Sequence, residues 1–300
     1  MLVTSPLTGT EDIQLLQIFK VEQLVADWLS AYQIDISEEL AGHDIIYLYR
    51  CKRTGLNFFY PPEIQGSAKL YERLQKFDWF YIADKWEHTI ALQRIGSNER
   101  ILEVGAGTGA FIARCLQKEL DVVGLELNAS AIEEARIKAL PIQNNDLLTF
   151  ATSHEGYFDT VCSFQVLEHI SDPRSFIGSM VLALKQGGSL MISVPNADSF
   201  LKYDYNLLDM PPHHMTRWNK QSLMSLTKLF SLKLEEVRYE PLEGYHVHYF
   251  LKVYSALIKK KLHLKKNISE DLLQVAERLL NSGLKKIFRG QGMFARFKKI

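Results

Sequence analysis

The sequence has few cysteines, no excess of either charge and no long apolar run. Only 3 of its 300 residues are cysteine, and Cys51, Cys115 and Cys162 are too scattered for a disulfide framework or a four-cysteine zinc site. We therefore expect reduced thiols. No stretch of about 18 uncharged apolar residues occurs, and the start lacks a basic region followed by an apolar run. These absences predict neither a membrane span nor a secretory signal, and we expect a cytoplasmic protein.

The balanced charge, 35 Lys+Arg against 35 Asp+Glu, conceals an asymmetry along the chain. Residues 251–300 carry a net charge of +10, so residues 1–250 carry −10. The basic positions include Lys259, Lys260, Lys261, Lys265, Lys266, Lys285, Lys286 and Arg289. Such runs are usually solvated helix faces, but they also attract anions. We expect peripheral contact with an anionic membrane or a phosphorylated acceptor here, and no nucleic acid partner.

Short apolar runs alternate with segments of helical period from residue 100 onward. This alternation is typical of βαβ units and predicts an α/β fold with a doubly wound, mostly parallel sheet. Seven strands are predicted, at Arg100–Val104, Asp121–Leu125, Leu140–Gln143, Phe158–Ser163, Ser189–Val194, Leu232–Tyr239 and Met293–Lys298. Helices are predicted at Ala110–Glu119, Ala129–Lys138, Pro173–Lys185, Asn219–Phe230 and Ser269–Ile287, with Gly187 and Gly188 ending the third of them.

The presence or absence of this alternation also suggests how the chain divides into regions. Residues 1–75 lack the βαβ rhythm, so we expect an N-terminal cap or small subdomain, followed by the main domain over residues 76–300. A basic helical insertion over about residues 245–288 would precede the last strand. An aromatic cluster near the junction would either roof a pocket or pack between the cap and the main domain; it consists of Trp79, Phe80, Tyr81 and Trp86.

The most informative segment is Glu103-Val-Gly105-Ala-Gly107-Thr-Gly109, where a strand passes into a helix. Glycines allow a tight turn and a close approach of backbone to ligand, and helix N-terminal amides favour an anionic group. Glu126 ends the second strand, where a carboxylate can accept hydrogen bonds from both ribose hydroxyls. Loop and carboxylate together predict a nucleotide-type cofactor.

The same loop also fits a dinucleotide fingerprint. Gly105–Ala110 matches G-x-G-x-x-G/A, so an NAD(P) oxidoreductase remains an alternative. Three features weigh against it. Glu103 precedes the first glycine and suits a cationic amine better than a pyrophosphate, the loop starts about a hundred residues into the chain, and the Tyr81-x-x-x-Lys85 motif lies upstream of it.

Residues 100–197 resemble the class I S-adenosylmethionine-dependent methyltransferases. The matching segments are ILEVGAGTGAF (101–111), VVGLEL (122–127), NND (144–146), FDTVCSFQVLEHISDP (158–173) and LKQGGSLMISVPN (184–196). PPHHMTRWNKQSL (211–223) resembles the small-molecule branch, which includes the ubiquinone-biosynthesis O-methyltransferases and sugar- and natural-product-modifying enzymes. The resemblance implies a Rossmann-like methyltransferase fold, S-adenosylmethionine as cofactor, and a small-molecule acceptor, with oxygen favoured over carbon or nitrogen. A non-catalytic S-adenosylmethionine-binding partner protein remains a further alternative.

The resemblance also implies a set of cofactor residues. They are Glu103, Gly105, Ala106, Gly107, Gly109, Glu126, Leu127, Asp146, Leu147 and Gln165. Glu103 and the loop amides would hold the methionine end, and Glu126 the ribose. Asp146, with the Leu147 amide, would read the adenine, and Gln165 would lie beside the methyl donor. The plainer alternatives are a solvated strand end for Glu126 and a loop cap for Asp146.

Three histidines are the candidate catalytic residues. Methyl transfer is an in-line displacement that mainly requires alignment, and a base assists when a hydroxyl must lose its proton. His169 follows the fourth predicted strand, at the carboxyl edge where ligands bind in such sheets. His213 and His214 follow two prolines in the segment that, in the family, closes over the substrate. The alternative for the adjacent pair is a hydrogen bond to backbone.

The resemblance also bears on metals and on nucleic acid substrates. Related ubiquinone-pathway enzymes hold a divalent cation with carboxylates in the segment matching Gln165–His169, but Gln165 is not anionic, so we expect no metal. A Cys-x-x-Cys-Gly knuckle found in some relatives is incomplete because Thr54 replaces its second cysteine, and a β-hairpin is expected instead. The motifs of exocyclic-amine and cytosine-C5 methyltransferases are missing after the fourth strand, which disfavours nucleic acid bases.

Overall fold

The computed structural model describes residues 2–77, 80, 82, 85–263 and 269–300. In chain order the strands are β1 (Ile13–Lys20), β2 (Ile45–Cys51), β3 (Asn57–Tyr60), β4 (Arg100–Val104), β5 (Asp121–Leu125), β6 (Ile142–Gln143), β7 (Phe158–Phe164), β8 (Leu184–Pro195), β9 (Thr216–Arg217), β10 (Leu232–Pro241) and β11 (Arg289–Lys299). The α-helices are α1 (Val21–Tyr32), α2 (Ala68–Leu74), α3 (Trp86–Leu92), α4 (Ala110–Leu116), α5 (Ala129–Ile137), α6 (Leu147–Ser153), α7 (Pro173–Ala183), α8 (Lys220–Leu229), α9 (Val247–Lys261) and α10 (Glu270–Asn281).

Seven strands form the main sheet in the order β10-β11-β8-β7-β4-β5-β6. The five strands from β6 to β8 are parallel, and β11 joins β8 and β10 antiparallel. Strands buried on both faces are mostly apolar, and Ile101, Leu102 and Val104 of β4 are accordingly buried. The α/β fold with a mostly parallel, seven-stranded sheet, predicted from the alternating pattern, is confirmed.

The boundary between α7 and β8 differs from the prediction. Gly187 and Gly188 were expected to end the helix, but α7 ends at Ala183 and β8 begins with the next residue. Gly187 has φ +76°, and the pairing with β7 shifts register once across the glycines, between Leu184 and Ser189. The pair therefore forms an irregularity inside a strand, because glycine adopts the left-handed backbone that such a bulge requires.

A second sheet, antiparallel and four-stranded, occupies the N-terminal region in the order β1-β2-β3-β9. The hairpin expected around Cys51 is confirmed, since β2 pairs with β3 and the Gly55 amide donates to the Cys51 carbonyl at 2.8 Å. All three cysteines are buried and free. The fourth strand, β9, comes from beyond β8, so this sheet draws on both sides of the predicted boundary at residue 75, and the division into 1–75 and 76–300 stays a prediction.

The helical insertion lies between β10 and β11 and consists of α9, α10 and a 3-10 turn at Leu284–Ile287. The predicted helix over Ser269–Ile287 is interrupted after α10, where Gly283 has φ +132°. The Ser269 side chain caps α10 by accepting a hydrogen bond from the Leu272 amide. Residues 264–266 of the basic run lie outside the described residues. Over the described ranges we find no helix with the length and apolar character needed to cross a bilayer, and the cytoplasmic location stays a prediction.

Candidate functional site

A cavity of about 1390 Å³ opens at the carboxyl ends of the parallel strands. Nine of the ten predicted cofactor residues line it: Glu103, Gly105, Ala106, Gly107, Glu126, Leu127, Asp146, Leu147 and Gln165. Gly109 instead caps α4, at φ +84°. The three predicted histidines, His169, His213 and His214, line the same cavity. The structure therefore brings both predicted groups to one cavity, and the cofactor and catalytic roles of these residues stay predictions.

The glycine loop follows β4 directly. A Cβ on Gly105, which has φ +78°, would lie 2.4 Å from Val166 Cγ2, so both backbone conformation and space require glycine there. The amides of Gly105 and Ala106 donate to the Leu125 carbonyl at 2.9 and 3.0 Å. Because these amides already have partners within the chain, their predicted contact with the methionine end of the cofactor stays a prediction.

Glu103 presents a buried carboxylate to this cavity. Its side chain is 3% exposed, and Oε2 has no hydrogen-bond partner among the described residues. Burial raises the pKa of this carboxyl well above its usual range; the Lys85 ammonium lowers it in part, and the Glu126 carboxylate raises it further. A buried acceptor without a donor is costly. An ammonium group in the cavity would satisfy it, which fits the amino-acid end of S-adenosylmethionine.

Glu126 is held rigidly at the end of β5. One carboxylate oxygen accepts hydrogen bonds from the amides of Leu127 and Asn128, both at 2.8 Å. The other accepts from the Gly107 amide, also at 2.8 Å. Glu126 is therefore not a freely solvated strand end. Two carboxylate oxygens offer about four acceptor sites, so capacity remains for a ribose hydroxyl.

Asp146 caps the N-terminus of α6, which was the alternative to its predicted adenine-reading role. Its Oδ1 accepts hydrogen bonds from the Thr149 amide at 2.9 Å and the Thr149 hydroxyl at 3.1 Å. These bonds lower the pKa of the Asp146 carboxyl. Capping uses one oxygen at the start of α6, and Asp146 and Leu147 also line the cavity. The adenine-reading role stays a prediction.

Gln165 begins a buried polar chain. Its backbone is left-handed, with φ +56°, and its side-chain amide donates to the Ser193 hydroxyl at 3.3 Å. That hydroxyl donates to the Glu87 carboxylate, also at 3.3 Å. Burial raises the pKa of Glu87, with partial offset from Lys85. The sequence analysis missed Glu87, although an acid between Trp86 and His88 in a short helix is a weak signal of a polar contact.

Glu240 is a second buried acid that the sequence analysis missed. It ends β10, lines the cavity and is 5% exposed. Its Oε2 accepts hydrogen bonds from the amides of Gly292 at 2.8 Å and Gln291 at 3.1 Å. Burial nevertheless raises the pKa of Glu240 to about 7. Nothing in the alternation of β10 distinguishes this buried glutamate from Glu235 and Glu236, which are more exposed.

The raised pKa of Glu240 predicts a pH-dependent stability. Between the ordinary value of 4.5 and about 7, the folded protein keeps a proton that the unfolded chain releases, so the free energy of unfolding falls as pH rises through this window. Glu240→Gln removes the titration and retains an oxygen for both amides. We expect its Tm relative to the parent to rise by at least about 2 °C from pH 5 to pH 8.

Thermal denaturation in one buffer series measures this difference. The exposed Glu134→Gln on α5 is the control, and its Tm difference from the parent should stay constant over the same range. A constant difference for Glu240→Gln would show that the Glu240 carboxyl is not protonated at neutral pH in the folded protein.

The three histidines form a compact cluster, with ring centroids 4.6 to 4.9 Å apart. His169 and His213 contact backbone through Nδ1, at 2.7 Å from the carbonyls of His213 and Leu208 respectively. His214 Nδ1 lies 3.1 Å from Asp209 Oδ1. The backbone hydrogen bond that was the alternative for the adjacent pair is therefore present at His213.

Burial keeps these imidazoles neutral. It lowers the pKa of His169 to about 4 and the pKa values of His213 and His214 well below 6.5, with further lowering by the neighbouring histidines. A base with a pKa of about 4 is poorly matched to neutral pH. Their burial therefore weighs against the general-base role, and contact with an acceptor stays a prediction.

Aromatic side chains from the N-terminal region enclose the histidines. Trp28, Tyr71 and Phe80 have ring centroids 6.0 to 6.5 Å from His213. Phe80 and Trp86 line the cavity. Trp79 and Tyr81 lie outside the described residues, and Tyr81 is also the tyrosine of the Tyr-x-x-x-Lys motif. Trp86 also packs against Phe294 of β11. Roofing and packing roles therefore coexist in this aromatic group.

Comparison with known proteins defines the family. A family profile described as "Methyltransferase domain" matches residues 76–250. A ubiquinone biosynthesis O-methyltransferase from Pectobacterium atrosepticum is 25% identical over 143 residues, covering 46% of this chain and 56% of that protein. One from Erwinia tasmaniensis is 30% identical over 143 residues, with the same coverages of 46% and 56%. The matched region thus spans little more than half the length of these relatives.

Two solved structures are similar at lower identity. A SAM-dependent methyltransferase from Archaeoglobus fulgidus is 19% identical, covers 78% of this chain and 95% of its own, and superposes with a TM-score of 0.46. A SAM-dependent methyltransferase from Thermotoga maritima, described as a possible histamine N-methyltransferase, is 17% identical, covers 78% and 98%, and has a TM-score of 0.49.

Because the profile covers more than half of the chain, the protein belongs to the methyltransferase domain family. The protein therefore carries a methyltransferase domain, and residues 100–197, which resemble the class I S-adenosylmethionine-dependent methyltransferases, lie within the matched region. The buried Glu103 carboxylate and the fixed Glu126 carboxylate suit the ammonium group and ribose of S-adenosylmethionine. The family match and these two carboxylates therefore favour S-adenosylmethionine over NAD(P) as the cofactor.

Proposed function

We propose that this protein methylates a hydroxyl oxygen of a small-molecule acceptor. One observation carries the proposal: a single cavity connects the Glu103 and Glu126 carboxylates to the histidine cluster, so donor and acceptor can occupy one enclosed space. The relatives named ubiquinone biosynthesis O-methyltransferase, 25% and 30% identical, support oxygen as the methylated atom.

S-adenosylmethionine supplies the methyl group: its S–C bond breaks as the new O–C bond forms, S-adenosylhomocysteine leaves, and the hydroxyl proton passes to water or a nearby base. The residues of the chain mainly position the reactants. Glu103 and Glu126 fix the two ends of the donor, and the hydrogen-bonded Gln165 is held rigidly at the end of β7. Fixing two reactants in line removes much of the entropic barrier to displacement.

A methyl-transfer screen tests the proposal. The purified chain is incubated with S-adenosylmethionine and panels of phenols, catechols, sugar alcohols and matched amines, and homocysteine released from the product is measured. We expect turnover with at least one hydroxyl panel, and a strongly reduced rate with Glu126→Ala at a subsaturating concentration of S-adenosylmethionine. Turnover with amines alone would overturn the choice of oxygen. Absence of turnover with every panel, in a protein that binds S-adenosylhomocysteine, would favour the non-catalytic alternative.

We further propose that the helical insertion contacts an anionic membrane surface. On α10 the apolar Leu272, Val275 and Leu279 are exposed, and Ile287 in the following turn is 76% exposed. The last turn of α9 carries three lysines, and the 3-10 turn carries two more. Exposed apolar residues with flanking basic charge are typical of helices that lie in a membrane interface. This pattern favours a lipid surface over a soluble phosphorylated acceptor.

Charge reversal on the insertion tests membrane contact. Lys260→Glu with Lys286→Glu should weaken co-sedimentation with vesicles rich in phosphatidylglycerol by at least roughly 30-fold, since each basic residue contributes about 1 kcal/mol at such a surface. The control double variant is Lys69→Glu with Lys118→Glu, exposed elsewhere, which should bind like the parent. An equal loss of vesicle binding in both double variants would contradict the proposed surface. So would binding of the parent protein that is unchanged at high salt.

A further inference from the structure

The histidine cluster combines residues from two separate segments. His169 lies in the 3-10 turn after β7, and His213 and His214 lie just before β9 in the chain. One nitrogen from each can be chosen so that all three lie within 4.8 Å of one another. Three imidazole nitrogens this close to one another can together supply ligands to a divalent transition metal ion.

The three histidine rings are oriented by hydrogen bonds at Nδ1, as the rings of metal-binding histidines commonly are. Each Nδ1 faces an acceptor: a backbone carbonyl for His169 and His213, and the Asp209 carboxylate for His214. Asp209 is itself held by Arg217, whose Nε lies 2.8 Å from Oδ2. A proton on Nδ1 leaves the lone pair on Nε2. Hydrogen bonding of the other ring nitrogen to carbonyl or carboxylate is what fixes metal-binding histidines.

A second observation is the unsatisfied nitrogen of His213. The residue is 7% exposed, and its Nε2 is buried without a hydrogen-bond partner among the described residues. A buried acceptor of this kind is costly unless something fills the gap. Glu168, beside His169, also has a buried carboxylate oxygen with no partner in the described part of the chain. The vacant acceptor at His213 Nε2 is compatible with a cation.

We propose that His169, His213 and His214 bind one divalent transition metal ion of the Zn²⁺ and Co²⁺ class. This ligand set differs from the carboxylate set for which no metal was expected. That expectation concerned hard cations and depended on Gln165, whereas neutral imidazole prefers borderline metals. All three histidines line the cavity, so a ligand position can face the acceptor.

The catalytic consequence rests on the proposed hydroxyl acceptor, whereas the binding itself does not. An ion of this class, held by the three histidines, would lower the pKa of an acceptor hydroxyl bound to it, so that the hydroxyl proton would pass to solvent water before the oxygen attacks the methyl group. This would replace the general base that the buried histidines are poorly suited to be. Asp209 is then a positioning residue that acts through His214.

Titration of the metal-stripped full chain with Co²⁺ tests the site without any methyl acceptor. We expect one equivalent to bind, with visible d–d absorption of nitrogen-ligated Co²⁺. His169→Ala and His213→Gln should abolish this signal, and Asp209→Asn should weaken Co²⁺ binding by about 10 to 100-fold. The control is His248→Ala, an exposed histidine on α9 that should leave the titration unchanged.

Far-ultraviolet circular dichroism establishes that each variant is folded, and His169→Ala serves if His213→Gln does not fold. Absence of Co²⁺ binding by the parent, or binding that survives both histidine substitutions, would overturn the metal site. Calorimetry with S-adenosylhomocysteine on the same preparations separates the two proposals. Cofactor binding without Co²⁺ binding removes only the metal site, whereas Co²⁺ binding in a protein that methylates amines alone removes only the hydroxyl acceptor.

Discussion

Glu126→Ala is expected to weaken the binding of S-adenosylhomocysteine by about 10-fold or more. Three of the about four acceptor sites of the Glu126 carboxylate are occupied by backbone amides, so the carboxylate would accept one ribose hydroxyl, and a hydrogen bond to a charged group contributes about 1.5–3 kcal/mol. The substitution also releases the Gly107, Leu127 and Asn128 amides, which hold the turn after β5. Isothermal titration calorimetry measures the loss directly.

Two further variants interpret the result. Glu126→Gln keeps the size and one acceptor oxygen, so we expect it to bind more weakly than the parent and more tightly than Glu126→Ala. Glu134→Ala, exposed on α5, is the matched control and should bind like the parent. Parent-like affinity in Glu126→Ala would show that this carboxylate holds only the turn and not the cofactor.

Gly105→Ala is expected to abolish detectable cofactor binding and to lower stability. The added Cβ would lie 2.4 Å from Val166 Cγ2, and the residue would keep φ +78°. A side chain in the left-handed region costs roughly 1–2 kcal/mol, and overpacking adds roughly 1–3 kcal/mol. To relieve the clash, the glycine loop must move away from Val166. Because this loop forms part of the cavity wall, the shape of the cavity changes as well. Calorimetry with S-adenosylhomocysteine and thermal denaturation measure both effects.

Gly156→Ala isolates the backbone contribution. Gly156 has φ +61°, and a Cβ there would meet no described atom within 4 Å. We expect this control to lose some stability and to bind S-adenosylhomocysteine normally. Equal effects of the two substitutions on binding would refute a specific contact between loop and Val166, because only the left-handed backbone is common to both sites.

Local sequence features were sufficient to predict the main sheet and the cofactor side of the cavity. The strand β4, the glycine loop and Glu126 lie within 27 residues of one another, and each has a recognisable local pattern. At β8 the glycine pair had two possible interpretations. The same Gly187-Gly188 pair that commonly stops a helix forms an irregularity inside a strand here, and the choice depends on pairing with β7 rather than on nearby residues.

Long-range contacts explain what the sequence did not reveal. Glu87 and Glu240 belong to separate elements, and their burial follows from the assembly of α3, β10 and β11 around the cavity. The histidines were identified singly, but their grouping depends on a 44-residue separation between His169 and His213. β9 has only two residues, too few for an alternating pattern to be recognised.

That short strand limits how the enzyme can be re-engineered. The Phe59 amide donates to the Met215 carbonyl at 2.9 Å, directly after His214, and the Met215 amide donates to the Glu168 carbonyl at 2.8 Å. Met215 is therefore hydrogen-bonded on one side to the N-terminal sheet and on the other side to the turn after β7. A chimera that exchanges only residues 1–75 would give the histidines a foreign sheet partner. Productive cap swaps must therefore exchange residues 210–217 together with the cap.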